Sequence, residues 1–367
     1  MTVNQIVMYF LAFGAALGGI DMVLGNRFGF GEKFEKGFQM LGPVALAMAG
    51  IICLAPVLSS LLDLIFTPIC DVLHMDPAIF GTVLAIDMGG YQLSVDLARD
   101  AQFGLFCGVI LSSIFGCTLV YSIPVGLGFL KDEHRPYFTR GILLGLTSLP
   151  FSIIAACLMQ KLDLGYVLWN CLPIFLLSVA LGIGVIKKPD AMIRIFLIFA
   201  KIIRTIAIFG LMLSAVSHLS GLSILPDLLP LQQAMQTVST ICIVMLGSMP
   251  LAELIQRIMK KPFRMINEKI GINGAGTTSF LLSFFSATPA LALIPQMNPR
   301  AQVVISACLV SSINIFGAHF AYADSFAPDT VPALIIAKVV GTLVGGGIAL
   351  FATRSMKEET VDETISL

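Results

Sequence analysis

The chain has 367 residues, of which 57% are hydrophobic and 12% are charged, and its formal net charge at pH 7 is zero. Soluble domains carry about 25% charged residues, and a soluble chain of this length would need more polar side chains to cover its surface. The composition therefore predicts an integral membrane protein. It shows no basic excess that would indicate nucleic-acid binding.

The predicted elements, in chain order, are apolar segments long enough to cross a bilayer as helices, which takes about 20 residues each. The first has neither a basic stretch nor a small-residue cleavage site, so we expect a retained span rather than a signal peptide. Two further stretches, 69–99 and 263–299, are apolar but interrupted by Gly, Pro, Asp and Asn. The approximately nine predicted transmembrane helices cover residues 3–24, 41–66, 103–129, 141–160, 164–186, 193–217, 234–256, 301–320 and 331–353.

The distribution of lysine and arginine predicts the orientation of these spans. Both residues cluster at 27–36, 131–140, 187–194, 257–269 and 354–357. By the positive-inside rule these regions are cytoplasmic, which places the N-terminus outside and the C-terminus inside. A single crossing of either interrupted stretch would break this alternation. We therefore predict that 69–99 and 263–299 are re-entrant helical hairpins, whose irregular backbone is tolerated where it is buried in protein or lines a wet cavity.

Similarity between the two halves predicts an inverted internal repeat. The matched features, in order, are Pro56 with Pro250, Pro68 with Pro262, IDMGGY (86–91) with INGAGT (272–277), and AQFGLFCGVILSSIFG (101–116) with AQVVISACLVSSINIFG (301–317). Inverted repeats with paired interrupted segments are typical of secondary transporters, which hold substrate at the repeat interface. An ancient duplication in a protein that transports nothing is the alternative.

This scheme divides the chain into four parts. The predicted parts are a first repeat at 1–160, a linking span at 161–190, a second repeat at 191–353 and a cytoplasmic tail at 354–367. The linking span supplies the odd crossing that inversion of the second repeat requires.

The first hairpin carries the leading candidate for a substrate site. A carboxylate at membrane depth is costly and normally faces a cavity or a partner, which makes Asp87 a candidate ligand for a cation. Gly89 and Gly90 would end the first arm and leave its carbonyl groups beside the carboxylate. Tyr91 and Gln92 could add a ring face and an amide. The alternative is a structural ion pair between Asp87 and Lys201 or Arg204.

The second hairpin offers neutral polar groups, and Asn273 is the predicted counterpart of Asp87. The candidate substrate-binding residues there are Asn273, Gly274, Gly276, Thr277 and Thr278. Close helix packing by small residues is the alternative interpretation. Asn314 and His319 complete the set, with His319 either a proton carrier or a packing residue. An acidic side facing a neutral side would suit a small cation that also has a hydroxyl group.

The sequence lacks the common enzyme and metal-binding motifs. The sequence contains no HExxH, GxSxG, P-loop or paired-histidine motif. The eight cysteines are scattered through apolar runs and predict buried small side chains rather than disulfides or metal ligands. We expect no catalytic residue, no metal site and no cofactor.

Four stretches of the sequence resemble the ethanolamine permease family, EutH. They are GFQMLGPVALAMAG with LAPVLSSLL (37–62), LAIDMGGYQLSVDLA (84–98), YSIPVGLG (121–128) and GINGAG…TPALALIPQMNPRAQV (271–303). The resemblance covers nearly the whole chain, although the linker at 218–232 is short for that family. It supplies no residue-level site.

The resemblance implies a multi-pass protein of the bacterial inner membrane that takes up ethanolamine, with the lipid bilayer and ethanolamine as its partners. Ethanolamine carries a hydroxyl group and an amine that is protonated at neutral pH, which agrees with the predicted cation site. Together they predict a permease that works by alternating access, and a homo-oligomer is compatible with this scheme. The alternatives are an ion-coupled carrier of another small cation or amino alcohol, and a non-transporting membrane anchor or sensor.

Overall fold

Helices account for all the regular secondary structure of the described chain. The computed structural model describes residues 3–356, and for some residues within helices, Asp87 among them, the side chain lies outside the described part. Helices suit so apolar a sequence because they pair every backbone N–H and C=O group within the segment, as a lipid environment requires. The all-α prediction is confirmed at the level of fold class.

The helices are numbered in chain order. The first half of the described chain contains α1 (Val3–Val23), α2 (Phe30–Gln39), α3 (Leu41–Leu73), α4 (Ala78–Gly81), α5 (Gly90–Leu97), α6 (Ala101–Leu105), α7 (Ile123–Phe129), α8 (Arg135–Leu146) and α9 (Leu149–Gln160). The rest contains α10 (Leu164–Asn170), α11 (Leu172–Lys187), α12 (Pro189–Ser220), α13 (Leu231–Ile270), α14 (Gly274–Ser283), α15 (Ala287–Ala292), α16 (Pro299–Ser312), α17 (Ala318–Phe326) and α18 (Val331–Ala352). Helix α6 continues into α7 through π-helical turns at Phe106–Gly116 and Thr118–Ser122.

Seven helical stretches among the described residues are long and apolar enough to cross a membrane, or up to eight if the bent pair α10–α11 is one span. They coincide with eight of the predicted spans. The remaining predicted span, 301–320, is interrupted, because α16 ends at Ser312 and α17 begins at Ala318. The described chain thus has several helices that could cross a membrane, and the predicted span 301–320 is a broken helix formed by α16 and α17.

The stretch 69–99 folds back on itself, and we call its folded part hairpin 1 (residues 76–100). Its arms, α4 and α5, pack so closely that a Cβ on Gly81 would overlap Ser94. Asp76 fastens the base, since its carboxylate accepts backbone N–H groups of Ala78 (2.9 Å) and Asp100 (3.0 Å). Buried carboxylates of this kind hold chain ends together through several charge-assisted hydrogen bonds.

The stretch 263–299 also folds back, and we call this part hairpin 2 (residues 273–298). Its arms, α14 and α15, are joined by a turn at 284–286, and the Ser279 hydroxyl donates to the Ala290 carbonyl across them (2.7 Å). At the base, the Asn273 amide donates to the Gln296 carbonyl (2.8 Å). Hydrogen bonds between one polar side chain and backbone groups therefore close each hairpin at its base, with Asp76 in hairpin 1 and Asn273 in hairpin 2.

Two pairs of helices cross in direct backbone contact. A Cβ on Gly14 of α1 would overlap the Gly247 carbonyl of α13, and a Cβ on Gly210 of α12 would overlap the Gly50 carbonyl of α3. Glycine allows this approach, which increases van der Waals contact between helices in a membrane. Each crossing joins one half of the chain to the other.

Candidate substrate site at the interrupted helices

The tip of hairpin 1 lies against the π-helical turns that follow α6. A Cβ on Gly116 would overlap the carbonyl oxygens of Thr82 and Leu84, so only glycine permits this contact. Gly89 has a φ of 87°, a left-handed value that glycine adopts without strain. The Gly90 N–H donates to the Ala85 carbonyl (2.9 Å) and closes the turn. The Gly pair in the sequence therefore serves a tight turn in the interior.

The tip of hairpin 2 lies against the break between α16 and α17. Asn314 donates its N–H to the Ser283 carbonyl (2.7 Å), and the Phe316 N–H donates to the Phe284 carbonyl (2.7 Å). A Cβ on Gly317 would overlap the Phe285 carbonyl. At the break, backbone N–H groups that lack a partner within the helix thus donate to carbonyls of hairpin 2. Buried backbone groups need such partners.

The two contacts use matching pieces of sequence. In each half an Ile-Phe-Gly triplet, at 114–116 and at 315–317, places its glycine against the tip of the hairpin that precedes it. The hairpins also touch the opposite half of the chain. Thr288, just past the second tip, shares a hydrogen bond of 2.5 Å with Tyr121. Both tips therefore lie where the two halves meet.

Tyr91, which begins the return arm of hairpin 1, belongs to an aromatic cluster with α17. Its ring lies 5.4 Å from that of Tyr322 and 5.7 Å from that of Phe326, measured between ring centroids. Its hydroxyl donates to the Phe326 carbonyl (3.4 Å). Gln92 instead donates to Asp96 one turn away (2.8 Å). Of the predicted site residues in this hairpin, Gly89, Gly90 and Tyr91 lie together at the tip.

The Asp87 backbone lies in the 3-10 turn Ile86–Met88, which contacts both the π-helical turns at Phe106–Gly116 and α17. Its side chain is outside the described part of the structure, so its role in binding stays a prediction. Lys201 and Arg204, the alternative partners, are exposed on α12. The backbone position alone places Asp87 at the first tip.

The predicted residues of hairpin 2 lie away from its tip, so Asn273 and Asp87 occupy different parts of their hairpins. Asn273 is the N-terminal cap of α14, where its side chain accepts the Gly276 N–H (3.2 Å). Thr277 is buried, and its hydroxyl has no hydrogen-bond partner among the described residues, whereas the Thr278 hydroxyl donates to the Gly274 carbonyl (3.0 Å). These residues occupy the base and first turns of the arm because Asn273 starts the helix there rather than interrupting it.

Lys338, in the middle of α18, is a buried cation that the sequence analysis missed. Its ammonium group donates to the carbonyls of Ile313 (2.9 Å) and Ser113 (3.0 Å), and more distantly to that of Ser311 (3.5 Å). The signal was visible, since it is the single charged residue in a 22-residue apolar helix. An ionisable residue inside a span normally marks a functional region.

His319, in the first turn of α17, is fully buried close to Lys338 and to the Ile313 carbonyl. Neither ring nitrogen makes a hydrogen bond of normal geometry to a group that the structure describes. Asn314, by contrast, is the residue at which the broken helix turns, with a left-handed φ of 57° that asparagine tolerates better than most residues. The structure therefore brings both predicted residues to the break, next to Lys338.

Among residues 3–356, no group of three or more His, Cys, Asp or Glu side chains is arranged to hold a metal ion. The eight cysteines are buried, with free thiols.

The chain was compared with known proteins. The model of the family described as "Ethanolamine utilisation protein, EutH" matches residues 3–354. A protein of Bacillus subtilis named "Uncharacterized protein YxeR" is 36% identical, and 96% of each chain is covered. Proteins named "Probable ethanolamine permease EutH" are 33% identical in Listeria monocytogenes, with 99% of this chain and 98% of the relative covered, and 30% identical in Salmonella typhimurium, with 95% and 94% covered.

No solved structure matches the chain. The family match extends over almost the entire described sequence and agrees with the apolar helices, which indicate a multi-pass membrane protein. The resemblance suggested by the sequence motifs is thereby confirmed: the chain belongs to the EutH family of ethanolamine utilisation proteins.

Proposed function

We propose that the protein is a permease that carries ethanolamine across the bacterial inner membrane by alternating access. Relatives of this chain carry the name of a probable ethanolamine permease. The structural observation that carries the proposal is the meeting of two hairpin tips with two irregular helices, at Gly116 and at Gly317. Transporters bind substrate where discontinuous helices meet between repeats.

Inverted repeats are part of this proposal, and two features support them. Both long proline-containing helices, α3 and α13, have prolines at the matched positions. A Phe-Gly pair in α1 (13–14) and another in α12 (209–210) each cross the long helix of the opposite half. The first helix of each half, α1 or α12, thus packs on the long helix of the other half, α13 or α3. A two-fold relation between the repeats would produce this arrangement. The first repeat is 1–160 and the second is 191–353, as the sequence pattern predicts.

The substrate site that we propose lies at the tip of hairpin 1. Asp87 supplies the negative charge for the ammonium group, and Gly89 and Gly90 expose backbone to the substrate. The Tyr91 ring, beside Tyr322, offers an aromatic face to a cation, an interaction of about 0.5–2 kcal/mol. Asn314 and His319, at the break between α16 and α17, are polar neighbours of this tip. Gln92 follows Tyr91 on α5, where it bonds to Asp96. The predicted residues at the base of hairpin 2 would contact substrate only if this hairpin moves during the transport cycle. They are Asn273, Gly274, Gly276, Thr277 and Thr278.

Substrate recognition can be tested with analogues that each lack one group of ethanolamine. Purified protein in detergent is titrated with ethanolamine, with ethylamine, which lacks the hydroxyl, and with ethylene glycol, which lacks the charge. We expect ethanolamine to raise the melting temperature most, because ligands that bind the native state stabilise it by mass action. Ethylamine should bind more weakly, and ethylene glycol should have no effect.

Three outcomes would contradict the proposal. If ethylene glycol stabilises the protein as well as ethanolamine does, the site does not recognise an ammonium group. If another amino alcohol or small cation stabilises it far more strongly, the protein is a carrier for that compound. A complete lack of response, together with no uptake, would favour a membrane anchor or sensor.

A further inference from the structure

The position of Lys338 resembles a cation-binding site built from backbone carbonyls. Its side chain is fully buried, and its ammonium group donates to Ser113, Ser311 and Ile313. Three carbonyl acceptors call for three N–H groups, which only the protonated form of lysine has. The three acceptors therefore suit an ammonium group.

The carbonyls come from the interrupted helices. Helix α16 ends at Ser312, and Ile313 takes up an extended conformation (φ −60°, ψ 128°). The carbonyls at a helix end have no intrahelical partner and carry the negative end of the helix dipole. The lysine therefore donates hydrogen bonds to carbonyls that the break leaves without intrahelical partners, and its positive charge balances their partial negative charge.

The lysine also joins the two halves of the chain. Ser113 belongs to the π-helical turns of the first half, whereas Lys338 and Ile313 belong to the second. The accepting residues lie in the matched Ser-Ser-Ile segments at 112–114 and 311–313. One cation thus holds together equivalent points of both halves.

Unwound backbone carbonyls and half-helix C-termini are the groups that coordinate Na⁺ in ion-coupled transporters with discontinuous helices. From this we infer that Lys338 is a tethered cation that takes the place of a coupling ion, so that the carrier works without Na⁺ or K⁺. The inference rests on the proposed transport function. It makes Lys338 a positioning residue, which stabilises the junction of the helices without touching the substrate. His319 is a titratable group that also lies close to this junction.

The test compares salts. Wild-type protein in proteoliposomes should take up ethanolamine equally well when Na⁺ and K⁺ are replaced by N-methyl-D-glucamine, and its melting temperature should not depend on the choice of these cations. Replacing Lys338 by alanine leaves the carbonyls and opens space beside them. We expect Lys338→Ala to lose uptake by about tenfold or more in N-methyl-D-glucamine and to regain part of it in Na⁺ or K⁺. The same ions should raise its melting temperature.

Two controls complete the design. Lys36→Ala removes an exposed lysine of α2 that pairs only with Glu32 one turn away among the described groups, so it should behave as wild type. If Lys338→Ala does not fold, the wild-type salt comparison decides by itself.

The inference is overturned if wild-type uptake falls about tenfold without Na⁺ and K⁺. It is also overturned if folded Lys338→Ala is insensitive to both ions, whether active or inactive. Failure of the transport proposal would look different: wild-type uptake would be absent in every salt, while the melting temperatures, which need no substrate, would still report on Lys338.

Discussion

Single buried carboxylates fix the turns of this protein. Asp21, 2% exposed, accepts the N–H groups of Phe28 (2.9 Å), Phe30 (2.7 Å) and Gly31 (3.0 Å) and thereby joins α1 to α2. Asp76 does the same for the base of hairpin 1. These side chains bond to backbone donors that would otherwise be unsatisfied, which makes them structural residues rather than substrate ligands.

The Asp76 contacts give a prediction at this scale. Its carboxylate bonds to N–H groups of both hairpin ends and accepts the Tyr166 hydroxyl (3.0 Å). Asp76→Ala should lower the free energy of unfolding by about 3 kcal/mol or more, because several buried donors lose a charged partner. The matched control is Asp71→Ala, which removes an exposed ion pair with Arg99 and should cost less than about 1 kcal/mol.

Thermal unfolding of the purified variants in detergent measures the difference. Equal melting temperatures for Asp76→Ala and Asp71→Ala would show that the base of hairpin 1 does not depend on the buried carboxylate.

Residues also show where the sequence could and could not predict the site. The polar residues of IDMGGY stand out from an apolar background, so the first tip was found. The second tip, Phe-Phe-Ser at 284–286, has almost no polar signal, and the resemblance of INGAGT to IDMGGY drew attention to Asn273 instead. A polar residue followed by glycine can start a helix as readily as it can end one. The charge of Lys338 was visible in the sequence, but the high mean hydropathy of its helix made the segment look like an ordinary span.

At the scale of elements, close packing of glycines sets how helices cross. A Cβ on Gly50 of α3 would overlap the Ala207 carbonyl of α12, whereas a Cβ on Gly347 of α18 would meet no atom of the described residues within 4 Å. Backbone atoms cannot move aside as a flexible side chain can. The first glycine is therefore a packing requirement, and the second is not.

Alanine substitution at these glycines should give opposite results. Gly50→Ala should destabilise the protein by about 1–3 kcal/mol, as overpacking of a tight contact does. Gly347→Ala should be neutral or slightly stabilising, since alanine is the better helix former. Melting temperatures of the two variants provide the comparison. A Gly50→Ala protein as stable as wild type would mean that α3 and α12 are farther apart than described.

The elements also account for the predicted span that is not a single helix. The hydropathy of 301–320 satisfies the requirement for a membrane-spanning helix, because Asn314 and Gly317 are too few to lower the average. The break depends on hydrogen bonds from the tip of hairpin 2 to Asn314 and Phe316. Such tertiary partners are not visible in local sequence. That 69–99 and 263–299 fold back was predictable, because the charge distribution left no room for two more crossings.

At the scale of the whole molecule, the account requires opposite orientations of the two hairpins. Their bases carry Arg99 and Arg300, and cysteines introduced at these positions report which side of the membrane each occupies. We expect a membrane-impermeant thiol reagent to label position 99 from outside and position 300 only from inside, by the positive-inside rule. All eight native cysteines are buried, so background labelling should be low. Labelling of both positions from one side would exclude inverted repeats.

Transport itself is the central claim at this scale. Protonated ethanolamine crosses lipid poorly because a charged group is costly to place in the bilayer, so a carrier should matter most when the substrate is fully protonated. The proposal assigns the compensating charge to Asp87. Removing that charge while preserving its shape should therefore abolish uptake without unfolding the protein.

The most direct measurement is uptake of radiolabelled ethanolamine into proteoliposomes, with wild type, Asp87→Asn and the control Asp96→Asn, whose exposed side chain bonds to Gln92. We predict saturable uptake by wild type and Asp96→Asn, and a reduction of about tenfold or more in Asp87→Asn with an unchanged melting temperature. Wild-type uptake no faster than that of protein-free liposomes would contradict the transport function. Undiminished uptake by Asp87→Asn would contradict the proposed site.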